Sequence, residues 1–77
     1  MKNRSLKEIA VEIREDWVNP SINAVPYLNA MSTLNEITDN YHFDSGEMIV
    51  AYFLSNARTW KGETARRVKK ELNSMLN

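Results

Sequence analysis

The residues best suited to chemistry gather in two places. The first is the segment Asp39-Asn40-Tyr41-His42-Phe43-Asp44-Ser45-Gly46-Glu47, which holds the single histidine of the chain. Asp39, His42, Asp44 and Glu47 are the oxygen and nitrogen donors that a divalent cation needs. Their spacing does not fit a calcium loop, because Tyr41 and Phe43 stand where oxygen ligands would fall. The segment reads instead as a solvated turn leading into a helix, and no metal ligand set is assigned.

The second place is Arg66-Arg67-Val68-Lys69-Lys70, with Arg58 and Lys61 a short way before it. A basic helix neutralises phosphates and releases their counterions, so this is the candidate contact for nucleic acid. Arg66, Arg67 and Lys70 project outward on neighbouring turns, and Lys69 flanks the buried stripe. Glu63 and Glu71 interrupt the patch, and ten Lys and Arg balance ten Asp and Glu over the chain. No helix-turn-helix spacing precedes it. These cations are equally suited to a protein partner.

Covalent or acid–base catalysis needs a nucleophile, an orienting base and a pocket to hold them. One histidine, no cysteine and scattered serines supply no convergent set. Glu8, Glu12 and Glu15 read as a solvent face. The expectation is a protein that is not an enzyme, with no catalytic residues, no cofactor and no small-molecule substrate.

The charges are segregated although they sum to zero. Up to residue 22, Lys2, Arg4, Lys7 and Arg14 balance Glu8, Glu12, Glu15 and Asp16. Residues 23–48 carry Glu36, Asp39, Asp44 and Glu47 and no Lys or Arg. Residues 49–77 carry Arg58, Lys61, Arg66, Arg67, Lys69 and Lys70 against Glu63 and Glu71. An acidic middle and a basic end speak of partners or self-association rather than of fold.

Four helical segments must position these groups. Ser5 and Glu8 form a capping box, and Leu6, Ile9, Ala10, Ile13 and Trp17 recur at helical spacing, so the first helix runs over about 6–17. Val11 falls on its solvent side. Asn19-Pro20 ends it. The second runs from Val25 or Pro26 to Thr38, with Pro26 in the first turn and Tyr27, Ala30, Met31, Leu34 and Ile37 on one face. The third runs over about 45–57, capped by Asp44 or Ser45. Met48 to Leu54 is apolar all round and should be the most buried stretch. Its β-branched and aromatic residues also suit a strand, but the caps and the lack of a partner strand favour helix. The fourth runs over about 62–75 on the stripe Ala65, Val68, Leu72, Met75 and Leu76, with Glu63 placed to pair with Arg67. Trp60 tucks against the core from the connection.

The expected fold is all-α: a compact bundle of four short helices in one domain over residues 1–77, packing the other three helices around the third. No apolar run is long enough to span a bilayer, and the N-terminal charges exclude a signal-peptide core. The expectation is a cytoplasmic protein that does not bind membranes. Seven aromatics are generous for 77 residues, so part of that surface is expected to meet a second copy or another protein.

The segments Val25-Pro26-Tyr27-Leu28-Asn29-Ala30-Met31, Asn40-Tyr41, Asp44-Ser45-Gly46, Tyr52-Phe53-Leu54-Ser55-Asn56-Ala57 and Trp60-Lys61-Gly62-Glu63-Thr64-Ala65-Arg66-Arg67, with Lys70-Glu71-Leu72, resemble those of short uncharacterised proteins carried by phages and integrative elements of Gram-positive bacteria. The resemblance covers most of the chain. It implies an intracellular accessory protein of a mobile element that binds proteins or nucleic acid, and it carries over no catalytic residue.

Overall fold

The computed structural model describes residues 4–76. Lys2, part of the N-terminal charge balance, lies outside the described residues. Four helices and one short hairpin follow in the order α1 (Leu6–Asp16), α2 (Val25–Met31), β1 (Asn40–Tyr41), β2 (Asp44–Ser45), α3 (Gly46–Ser55) and α4 (Glu63–Met75). The chain is therefore mostly helical, and the all-α expectation is corrected by a two-stranded antiparallel sheet.

The capping box at the start of α1 is formed. Ser5 Oγ accepts from the Glu8 amide at 3.0 Å, and Glu8 Oε1 accepts from the Ser5 amide at 3.0 Å. The first two helical amides find partners across the fold: Leu6 donates to the Asn35 carbonyl at 3.0 Å and Lys7 to that of Leu34 at 2.9 Å. Helix starts leave four amides without intrahelical acceptors, and here distant backbone and one hydroxyl take up three of them.

Helix α2 is shorter than the sequence pattern suggests and ends at Met31 rather than Thr38. Ser32 and Thr33 turn their hydroxyls back onto the Leu28 and Ala30 carbonyls. The Asp39 carboxylate then accepts from the amides of Asn35 and Glu36, at 3.1 and 2.9 Å. Such local side-chain bonds offer the backbone an alternative to the helix. Leu34 and Ile37 still pack on the core, but from a turn.

The hairpin pairs Asn40 with Ser45 and Tyr41 with Asp44, turning at His42 and Phe43. His42 takes a left-handed φ of 56°. The hairpin leads into α3, whose cap is Ser45: its hydroxyl accepts from the Met48 amide at 3.2 Å. Gly46 is required at this junction. Its amide donates to the Asp39 carbonyl at 2.6 Å, and a Cβ here would stand 2.5 Å from the Ile37 carbonyl oxygen. Gly62 precedes α4 with φ of 111°, a conformation that disfavours any side chain.

The principal packing runs α1 on α2, α2 on α3, α3 on α4 and α4 on α1. The third helix is thus one side of a ring and not its centre. It buries Ile49, Val50 and Phe53 but leaves Met48 and Tyr52 each about two-fifths exposed, at 42% and 43%. The core is completed by Leu6, Ile9 and Ile13 from α1, Leu28 and Met31 from α2, and Val68 and Leu72 from α4. Trp60 is buried, as its place in the connection suggests, and lies stacked on Trp17 at 5.8 Å and edge-on to Phe53 at 6.3 Å. No helix among the described residues is long and apolar enough to cross a membrane.

Candidate functional site

The six cations singled out in the sequence are not equivalent in the fold. Lys69 is committed to structure. Its ammonium donates to the carbonyls of Ala57 and Trp60, at 2.7 and 2.6 Å, and lies 5.8 Å from the centre of the Trp60 ring. Burial lowers its pKa, and the charge of Lys61 adds to the effect. Lys69 therefore ties α4 to the connection that follows α3.

Arg67 is also engaged. It pairs with Glu12 of α1 rather than with Glu63 one turn earlier on its own helix. Arg4 joins the same network, 2.8 Å from Glu12, and grips Glu71 with two nitrogens, at 2.6 and 3.0 Å. Glu12 is thus a junction between the start of the chain, α1 and α4, which corrects its reading as part of a solvent face. Donation from Arg67, then from Arg4, holds its pKa below the usual carboxylate value.

Arg66 and Lys70 stay exposed on α4, and Arg58 and Lys61 stay exposed on the α3–α4 connection. The basic patch is thus reduced to four outward cations by internal pairing. Arg58 lines a shallow groove of about 190 Å³ with Ser21, Asn23, Ser55, Asn56 and Thr59. Ser21 anchors the groove by donating its hydroxyl to the Asn56 carbonyl at 2.8 Å.

The acidic segment is organised by the hairpin. His42 lies at the turn with its ring 4.6 Å from Tyr41. Among the described residues, no three His, Asp or Glu side chains come together in a way that would hold a metal ion. A second concavity, near 220 Å³, is lined by Glu12, Glu15, Asp16 and Thr64. Of its carboxylates, Glu12 already serves Arg67 and Arg4, and Asp16 the Trp60 indole N–H.

The feature that sequence reasoning underweighted is apolar. Phe43 is fully exposed at the hairpin tip, and Met48 and Tyr52 face outward one turn apart on α3. Tyr52 leans on Tyr27 of α2 at 5.4 Å between ring centres. Ile22 and Val18 are 84% and 77% exposed on the α1–α2 connection. Helical periodicity placed most aromatics in the core, and it says nothing of a residue at a turn. The available signal was composition: Phe43 and Ile22 are flanked by polar residues and belong to no apolar stripe.

Compared with known proteins, the chain matches no family model, no curated protein and no solved structure.

Proposed function

We propose that this protein is a small, non-catalytic protein-binding module, and that its binding face is the outward side of α3 together with the hairpin tip. The observation that carries this reading is the exposure of Phe43, Met48 and Tyr52 beside the carboxylates Asp44 and Glu47. Large apolar groups left in water at one edge of a domain are characteristic of contact surfaces, where aromatic residues and methionine are enriched. In a domain this small, three such residues on one helix and its lead-in are a substantial share of the exposed apolar side chains. The proposed place of action is the cytoplasm, a reading supported by the short apolar runs and the N-terminal charges of the sequence; the role as an accessory protein of a mobile element rests on the sequence resemblance alone.

The alternative is a nucleic-acid-binding accessory protein using α4. Its support is the exposure of Arg66 and Lys70 on α4 and of Arg58 and Lys61 on the α3–α4 connection. Against it stands the commitment of Arg67 and Lys69 to Glu12 and to backbone carbonyls. Fewer mobile cations mean fewer counterions released and weaker binding to a polyanion.

Two measurements separate the readings. Affinity capture from the host, followed by cross-linking, should place partner contacts at Phe43, Met48 and Tyr52, and Phe43→Asp should abolish capture. Titration against mixed single- and double-stranded DNA at low and physiological salt should show no binding. Salt-sensitive DNA binding that disappears on replacing Arg66 and Lys70 with alanine would overturn the protein-binding reading.

A further inference from the structure

Helix α3 carries opposite chemistry at its two ends. Asp44 and Glu47 lie at its start, with Phe43 projecting from the turn before them. Arg58 and the Ser21–Thr59 groove lie at its finish. Between Glu47 and Arg58, residues 48–57 contain no charge. The outward ridge along that stretch is Met48, Ala51, Tyr52 and Ser55, apolar or small throughout. The groove, at about 190 Å³, falls below the range of about 300 Å³ upward in which small-molecule sites begin. It has the scale of a single side chain.

We propose that α3 pairs with α3 of a second copy, antiparallel, about a two-fold axis beside Ala51 and Tyr52. In this arrangement Phe43 of each copy enters the groove of the other, and Asp44 and Glu47 of each face Arg58 of the other. The proposal rests on the protein-binding reading and names the partner for that same face.

The argument for a second copy is self-complementarity. A two-fold interface sets residue i against residue j and j against i. The acid and the aromatic plug stand at one end of the ridge, the cation and the receiving groove at the other, and the midpoint between Glu47 and Arg58 falls at Tyr52 and Phe53. Reversing one helix therefore matches every unlike pair at once. It also opposes the two helix dipoles favourably. The basic helix α4 is a poorer occupant, because its outward side presents Arg66 and Lys70 and no large apolar group to cover Phe43 and Met48. One ten-residue helix with two plugs covers no more than the standard area of about 800 Å² per partner. The association belongs in the weak, reversible class.

The test is sedimentation equilibrium of the full chain over a concentration series. The wild type should show a monomer–dimer equilibrium. Glu47→Arg and Arg58→Glu should each weaken it at least about tenfold, since each places like charges together. An equimolar mixture of the two variants should associate as well as wild type, because each foreign charge then meets its opposite. Ala51→Cys, in a chain that otherwise has no cysteine, should cross-link on mild oxidation, while Lys7→Cys on the far helix should not. Monomer mass for the wild type up to millimolar concentration would overturn the second copy as occupant. Unrestored association in the mixture would overturn the antiparallel register. If the wild type stays monomeric while Phe43→Asp still abolishes capture of a host protein, this proposal fails and the protein-binding reading stands. Loss of both would remove both.

Discussion

The indole N–H of Trp60 donates to the Asp16 carboxylate at 2.8 Å, which fastens the α3–α4 connection to the last residue of α1. The same ring is stacked on Trp17, and both rings meet Phe53 edge-on at 6.3 Å. Three large aromatics from three parts of the chain thus share one site in the core. Aromatic pairs of this geometry add about 0.5–1.5 kcal/mol beyond the area they bury.

Phe53→Ala and Trp60→Ala should each cost about 3–5 kcal/mol. A domain this short has stability near the lower end of about 5–15 kcal/mol, so both variants should be largely unfolded at ambient temperature. Asp16→Ala should cost about 1 kcal/mol, the worth of one hydrogen bond, and should stay folded. Urea titration followed by tryptophan fluorescence checks the order. A wild-type midpoint for Phe53→Ala would contradict the packing described.

The cations of α4 should divide into two groups. Lys69→Ala removes a donor from the carbonyls of Ala57 and Trp60, of which Ala57 keeps the Trp60 amide, and should destabilise by about 1–3 kcal/mol. Arg66→Ala and Lys70→Ala sit in solvent and should stay within about 0.5 kcal/mol of wild type. Thermal melts of the three variants make the comparison directly.

Stability should fall in acid through Glu12. Its pKa is held down in the fold by Arg67 and Arg4, against about 4.3 when unfolded. A carboxylate whose pKa is depressed by folding contributes its full stabilisation above the unfolded value and loses it as pH drops through the lower folded value. Glu8 is depressed in the same sense by the Ser5 amide and adds to the trend. Glu12→Gln should cost about 1 kcal/mol at neutral pH, and its melting temperature should depend less on pH below about 4.3. High salt should narrow the gap between variant and wild type. Melts across an acid pH series check both points.

The hairpin turn should tolerate glycine better than histidine. A left-handed conformation costs a residue with a Cβ about 1–2 kcal/mol, of which glycine's added chain freedom takes back about 0.5–1. With φ of 56° at His42, His42→Gly should leave stability unchanged or raise it by up to about 1 kcal/mol. Zinc, calcium and manganese should leave the wild-type melting temperature unmoved, since only a ligand that prefers the native state shifts it. Scanning calorimetry with and without each ion measures both effects.

Local signals carried most of the helices. Ser5 with Glu8 and Ser45 before Met48 mark the starts of α1 and α3, and those caps outweighed the strand preference of Ile49 to Phe53. What stayed hidden depended on neighbours distant in sequence or on competing side-chain bonds. The Asp39 carboxylate, bound to the amides of Asn35 and Glu36, helps hold a turn where apolar spacing alone would continue α2. The hairpin lacks an Asn-Gly or Asp-Gly turn, so nothing in the sequence announces two bridges around His42 and Phe43. The same holds for the candidate site. Outward placement of Arg66 and Lys70 followed from helix periodicity, but the capture of Arg67 by Glu12 required α1 and α4 to lie side by side. The exposed edge at Phe43, Met48 and Tyr52 became visible only once α3 proved to be one side of a ring.

The bonds from Leu6 and Lys7 to the carbonyls of Asn35 and Leu34 give the first turn of α1 an unusual timetable. Helix ends ordinarily fray, and their amides trade hydrogen with solvent quickly. Here those two amides are released only when the stretch following α2 lifts away, so their deuterium uptake reports the opening of the middle of the protein. During synthesis the same bonds cannot close until residue 35 has emerged. Helix α1 therefore waits for its final two anchors until after α2 has been made.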